Sequence, residues 1–174
     1  MVGGPEPSEW ITRFAGLVPP AGRVLDVAAG SGRHTRFFLD RGHPVTAVDR
    51  DTSGLADLKS DPAFEDVEFD LETGAPWPFA GREFDAVVVT NYLHRPILPD
   101  IVGAVAPGGV LLYETFARGQ ERFGRPENPD FLLEPGELLD AVRGRLRVLS
   151  YEDLVLEDSS PRAVQRIAAT AGEG

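Results

Sequence analysis

The sequence predicts an α/β protein organised around a doubly wound, mainly parallel sheet. Three observations carry that expectation. Short apolar runs alternate with amphipathic stretches of helical period as far as residue 142, the pattern that covers both faces of a parallel sheet. Two last runs, 146–156 and 163–169, have no helix between them and pair as an antiparallel hairpin. Acids and glycines collect at the ends of the first three runs, where open α/β sheets bind ligands near the switch in strand order.

The elements follow in order. Ser8 caps a first helix over 8–18 whose apolar face is Ile11, Phe14, Ala15 and Val18, closed by Pro19 and Pro20. That helix is a candidate lid, and Trp10 is either part of the lid or a packed aromatic. A strand over 24–28 runs into Ala29-Gly30-Ser31-Gly32, and a helix carrying Phe37, Phe38 and Leu39 stops at Gly42 and Pro44. The strand 45–48 ends on Asp49; a short helix after Asp51 or Thr52 carries Leu55 and Leu58; the strand 67–69 ends on Asp70. Residues 71–83, with two prolines and two glycines, read as a loop. The strand 84–90 is the most apolar and belongs at the sheet centre. A helix from Pro96 buries Ile97, Ile101, Val102 and Val105, and Pro107-Gly108-Gly109 turns into the strand 110–113. The polar stretch 116–134 reads as a functional loop. Pro135 opens a helix with Leu138, Leu139 and Val142 that Gly144 ends. The tail 172–174 is expected to be flexible.

Composition bounds the rest. A chain of 174 residues with 42% hydrophobic residues favours one domain, 1–174, with a sizeable core. No apolar run approaches the roughly 20 residues of a membrane span, and the first seven residues lack the pattern of a secretory signal. The expected location is the cytoplasm. Cysteine is absent, so thiolate chemistry and disulfides are excluded, and three scattered histidines offer no metal site. A net charge of −11, with sixteen arginines spread along the chain against one lysine, makes nucleic acid a poor partner. Oligomeric state is not legible.

Asp26-Val27-Ala28-Ala29-Gly30-Ser31-Gly32 stands between a strand and a helix. Its glycines let backbone pass close beneath a ligand, and the helix N-terminus offers free N–H groups to a carboxylate. A dinucleotide site needs G-x-G-x-x-G; here the third glycine position is Thr35, and an acid, Asp26, stands four residues before Gly30. Both departures disfavour NAD and favour a methionine-containing cofactor. Asp49 can accept from both ribose hydroxyls, Asp70 can accept from an adenine amino group, and Leu71 and Ile97 are candidate walls of the adenine slot.

On these residues the sequence resembles the class I S-adenosylmethionine-dependent methyltransferases. The matching segments are V-L-D-V-A-A-G-S-G-R (24–33), A-V-D (47–49), F-D-L (69–71), P-W-P-F (76–79), F-D-A-V-V-V (84–89) and P-G-G-V-L (107–111). N-Y-L-H-R-P (91–96), Y-E-T-F (113–116) and N-P-D-F-L-L-E-P-G-E-L (128–138) resemble the small bacterial methyltransferases of the tellurite-resistance-like group. The resemblance implies a Rossmann-like methyltransferase fold: a seven-stranded sheet of order 3-2-1-4-5-7-6 with one antiparallel strand. It implies S-adenosylmethionine as cofactor, converted to S-adenosylhomocysteine. The implied contacts are Asp26, Ala28, Gly30, Gly32, Asp49, Arg50, Asp70, Leu71 and Thr90, with Gly30 and Gly32 toward the methionine part, Asp49 toward the ribose and Asp70 toward the adenine.

Methyl transfer needs an acceptor held in line, and a base only when the nucleophile arrives protonated. Asn91, Tyr92, His94 and Arg95 follow the central strand. Tyr92 and His94 are candidates to bind or deprotonate an acceptor and Arg95 to hold an anion; the alternatives are a cofactor wall, a helix cap and a surface ion pair. Glu114, Arg118, Arg122 and Arg125 border or occupy the loop, and Arg33 and His34 lie beside the glycine turn. The expected acceptor is a small molecule, anionic or thiol- or chalcogen-like. A methyltransferase on a modified tRNA base, a catalytically silent cofactor-binding partner protein and an NAD oxidoreductase are the rivals.

Overall fold

Seven strands form one sheet in a computed structural model that describes residues 6–173. They are β1 (Val24–Val27), β2 (Val45–Asp49), β3 (Phe64–Glu68), β4 (Phe84–Thr90), β5 (Val105–Phe116), β6 (Arg147–Leu156) and β7 (Arg162–Thr170). Their order is β3-β2-β1-β4-β5-β7-β6, and β7 runs antiparallel to both neighbours. Four α-helices accompany them: α1 (Glu9–Phe14), α2 (Arg33–Asp40), α3 (Leu98–Gly103) and α4 (Glu137–Val142).

The alternation along β4 shows why the sheet is covered twice. Val87 and Val89 join the core under α3 and α4, whereas Ala86 and Val88 join the core under α1 and α2. Side chains of successive strand residues point to opposite faces, so a strand apolar on both faces needs a layer on each. On the α1 side Trp10 is fully buried, and its indole N–H donates to the Ile167 carbonyl at 3.1 Å. Trp10 is therefore the packed aromatic of the two readings. Ser8 caps α1 by accepting from the Trp10 amide.

The bounds of two strands differ most from those expected. β3 begins at Phe64, three residues early, and stops at Glu68. It is an edge strand, and Glu65 and Asp66 hide its pattern by facing partners of their own, Arg82 and Lys59. Val105 opens β5 instead of closing the preceding helix, and β5 reaches Phe116. Pro107-Gly108-Gly109 is an irregularity inside β5: Phe84 pairs with Val105 but Ala86 with Val110. A side chain at Gly109 would sit 2.9 Å from the carbonyl oxygens of Ala106 and Asp85, so only glycine lets the strand rejoin β4.

Gly172 and Glu173 extend beyond β7 without regular structure, and Gly174 lies outside the described residues, as do residues 1–5 of the leader reading. Among the described residues no helix is long and apolar enough to cross a membrane, and no group of three potential metal ligands gathers.

Candidate functional site

The carboxyl ends of β1, β2 and β4 converge on a turn that backbone conformation dictates. Ala28, Gly30 and Gly32 all have positive φ, at 55°, 58° and 86°. For Ala28 that left-handed state costs on the order of 1 kcal/mol or more, strain of the kind held at ligand sites. Gly32 is also the N-terminal cap of α2, and a side chain there would run into Leu55.

Asp49 ties this turn to β2. Its Oδ2 accepts from the Gly30 amide at 2.9 Å and its Oδ1 from the Asp51 amide at 3.0 Å. A carboxylate offers about four lone-pair positions, so half of its capacity remains for a ligand. Asp26 and Thr35, the two departures from a dinucleotide pattern, turn out to be one interaction: the Thr35 hydroxyl donates to Asp26 Oδ2 at 2.7 Å. Burial pushes the Asp26 carboxyl up to about 6 against the hydrogen bonds from Thr35. Asp26 lies beneath the turn and lines neither cavity described below.

Two cavities open at the strand ends. The smaller, of about 390 Å³, is walled by Ala28, Asp49, Arg50, Phe69, Asp70 and Leu71. Asp70 is exposed, and its Oδ1 accepts from the Glu72 amide at 2.9 Å, while Oδ2 has no partner among the described residues. The larger, of about 700 Å³, is walled by Asn91, Leu93, Thr115, Phe116 and residues 125–128. Glu72, Tyr92 and Phe131 line both. Tyr92 is held above the usual tyrosine pKa by burial and then by the neighbouring Glu72. It stays protonated at neutral pH, so it can donate a hydrogen bond but cannot act as a ready base.

Several expected residues stand elsewhere. His94 lines neither cavity. It occupies the cap position of a 3₁₀ turn over Arg95–Ile97, its carbonyl accepting from Ile97 at 3.1 Å. Arg95 is committed: it grips Glu137 through two hydrogen bonds of 2.7 and 2.9 Å and the carbonyls of Asp130 and Leu132 at 3.1 and 2.8 Å. It clamps the 117–134 loop to α4 instead of facing an anion. Thr90 lines neither cavity, and its hydroxyl lies 3.4 Å from His34 Nδ1. Burial drives the pKa of His34 down to about 3. Its Nε2 accepts from the Ser8 amide at 3.0 Å, which leaves the proton on Nδ1 facing Thr90. His34 is thus a neutral imidazole with both ring nitrogens facing partners inside the protein.

The loop arginines divide likewise. Arg118 pairs with Glu134 at 2.8 Å, Arg122 folds over Phe123 and donates to Gly119, and Arg125 lines the larger cavity. Glu114 is held by Ser8 at 2.7 Å and Arg166 at 2.9 Å. With Arg33 it borders a third cleft of about 570 Å³, which shares Asn91 and Phe116 with the larger cavity. Glu72, Phe131, Phe69 and Glu127 were missed by sequence reasoning. For the first two a signal existed, since Glu72 follows Asp70 by two positions and Phe131 lies in the N-P-D-F-L-L segment.

Known proteins share this architecture. Residues 24–109 match the family model described as a methyltransferase domain. An uncharacterised methyltransferase of Mycobacterium tuberculosis is 30% identical over 150 residues, 82% of this chain and 56% of that protein. The chain thus spans about half the length of that curated relative. TehB from Haemophilus influenzae superposes with a TM-score of 0.73 at 18% identity, covering 92% of this chain and 61% of TehB. The 1,6-didemethyltoxoflavin-N1-methyltransferase of Burkholderia thailandensis, solved with 1,6-didemethyltoxoflavin and S-adenosylhomocysteine bound, gives 0.68 at 20% identity, covering 94% of this chain and 76% of that one.

Proposed function

The chain belongs to the methyltransferase family through its domain at residues 24–109, and from that premise we propose that it methylates a small-molecule acceptor with S-adenosylmethionine. The observation that carries the reading is the meeting of two cavities at Tyr92, one beside the glycine turn and Asp49, the other under the 117–134 loop.

The smaller cavity suits an adenosine. Leu71 and Phe69 supply apolar walls, Asp49 has acceptor capacity left for ribose hydroxyls, and Asp70 keeps one oxygen unengaged for an amino group. Arg50 and Ala28 complete its wall. The Gly30 and Gly32 amides already donate to Asp49 and to the Ala29 carbonyl, so backbone N–H groups for a carboxylate come from the start of α2. When bound, S-adenosylmethionine supplies a methyl group already activated on a sulfonium, so the chain's own task is to hold an acceptor in line and keep water out. Tyr92 and Phe131, bordering both cavities, are the residues placed to do that.

A small acceptor agrees with a larger cavity inside the roughly 300–1,000 Å³ range of small-molecule sites. It agrees also with the Burkholderia protein, a small-molecule methyltransferase by its name. The net charge of −11 disfavours nucleic acid. An anionic or thiol-like acceptor keeps one supporting observation, Arg125; the other arginines expected to hold it are occupied.

Calorimetry tests the reading directly. One S-adenosylhomocysteine should bind per chain, with no comparable binding of NAD. Tight NAD binding without an adenosylhomocysteine signal overturns it, and binding with no turnover on any acceptor leaves the silent partner protein.

A further inference from the structure

The larger cavity has a charge pattern opposite to the one the loop arginines suggest. Arg125 is its single cation, beside Glu72 and Glu127, and the adjoining cavity adds Asp49, Asp70 and Arg50. Together the two spaces set four carboxylates against two guanidinium groups, a net charge of −2. Neither Glu72 nor Glu127 joins an ion pair among the described residues, whereas Arg95, Arg118 and Arg166 nearby are all paired. Three aromatic rings, of Tyr92, Phe116 and Phe131, line the same cavity. Aromatic faces attract cations through their quadrupole, and ammonium groups are the ligands such walls recognise. A small oxyanion would meet like charge and leave most of about 700 Å³ unfilled.

The geometry points to an organic amine, arriving as its ammonium ion on an aromatic or apolar body, as the acceptor that the larger cavity takes. The inference rests on the methyltransferase reading above and names its substrate class. The apolar body lies against Phe116 and Phe131, and the ammonium faces the carboxylates. Glu72, at the junction of the cavities, accepts a proton from the ammonium and passes it to solvent, which frees the nitrogen lone pair. The nitrogen then forms its bond to the methyl carbon as the carbon–sulfur bond breaks, with both electrons left on sulfur. The positive charge of the sulfonium ends on the methylated nitrogen. Tyr92 cannot take that proton, since it already holds its own, and no histidine lines the cavity.

The test uses two probes with one body and opposite charge, 2-phenylethylamine and 3-phenylpropanoate, with 2-phenylethanethiol as a third. Binding to protein saturated with S-adenosylhomocysteine is followed by ligand-observed NMR. The amine should bind about tenfold more tightly than the carboxylate, as one desolvated cation–π contact or charge-assisted hydrogen bond would give. Glu127→Gln should shrink that preference, Arg125→Gln should enlarge it, and added salt should weaken it. Stronger binding of the carboxylate or the thiol, equal binding of all three, or binding of none overturns the proposal. Failure of the protein to bind adenosylhomocysteine at all is a separate result: it removes the methyltransferase reading, and this inference with it.

Discussion

The turn at residues 28–32 and the loop at residues 117–134 border the same pair of cavities and are held in place by different means. The turn is a matter of backbone: three left-handed residues in five, a helix start and two amides on Asp49. The loop is a matter of distant side chains. Arg95 holds it to Glu137, Gln120 spans from the Ala163 amide to the Arg125 carbonyl, and Arg118 closes on Glu134. Backbone geometry accepts few sequences and fixes the part of the site that meets an invariant ligand. Side-chain ties can be exchanged one at a time, which suits the part that selects an acceptor.

The sharpest way to probe the turn is through its buried charge. Asp26 titrates near 6 in the fold against an ordinary 3.8, because burial disfavours its ionised form. Its ionisation opposes folding, so its contribution is lost as pH rises from about 4 to 6. His34 works with the opposite sign: lowered to about 3 from 6.5, it contributes fully above 6.5 and loses that contribution as pH falls. Asp26→Asn, whose side-chain oxygen can still accept from Thr35, should therefore gain stability relative to wild type across pH 4–6. The gain should reach roughly 3 kcal/mol, at about 1.4 kcal/mol per pH unit of pKa shift. Denaturant unfolding at several pH values checks this, and parallel curves for the two proteins contradict it.

Next in size is Asp49→Ala. Each hydrogen bond lost to a charged acceptor costs roughly 1.5–3 kcal/mol, so S-adenosylhomocysteine affinity should fall at least tenfold, read by calorimetry. Binding of an uncharged probe in the larger cavity should hardly change. Equal losses at both ligands would mean that turn and loop act as one unit.

Arg95→Met tests the loop from its own side. Losing a half-exposed ion pair and two carbonyl contacts should cost roughly 1–2 kcal/mol of stability. Probe binding in the larger cavity should weaken severalfold, with adenosylhomocysteine affinity within about threefold of wild type. A larger effect on the cofactor than on the probe would reverse the division drawn here.

The smallest effect belongs to His94. Because it lines neither cavity, His94→Ala should change adenosylhomocysteine affinity and turnover by less than about threefold, against the 10²–10⁴-fold expected of a general base. A rate loss of the latter size, with stability kept, would return His94 to the site.

These contrasts also mark what was legible in the sequence. The strands themselves, the glycine turn and the position of Asp49 follow from period, punctuation and strand ends, all local properties, whereas the order of the strands was implied by the family resemblance alone. Thr35 and Asp26 were each visible as oddities, but their hydrogen bond was not, since it needs the strand and helix docked. Arg95 was left between an anion site and a surface ion pair for the same reason. Its partner Glu137 is 42 residues away, and nothing near position 95 announces it. Glu65 and Asp66 disguised the start of β3 because an edge strand with paired charges lacks the apolar alternation of an interior one.

The placement of β7 bears on the order in which the molecule can be completed. It is the last strand in sequence, yet it lies between β5 and β6, so the sheet is closed by an interior stave inserted last. During synthesis from the N-terminus, β1 to β5 can associate early, while β6 waits for the final strand to join it to β5. Until then two long strands present unpaired edges, the condition in which nascent chains aggregate. A truncation that removes residues 162–170 therefore does not trim a margin. It splits the sheet at Glu114 and Phe116, beside the larger cavity.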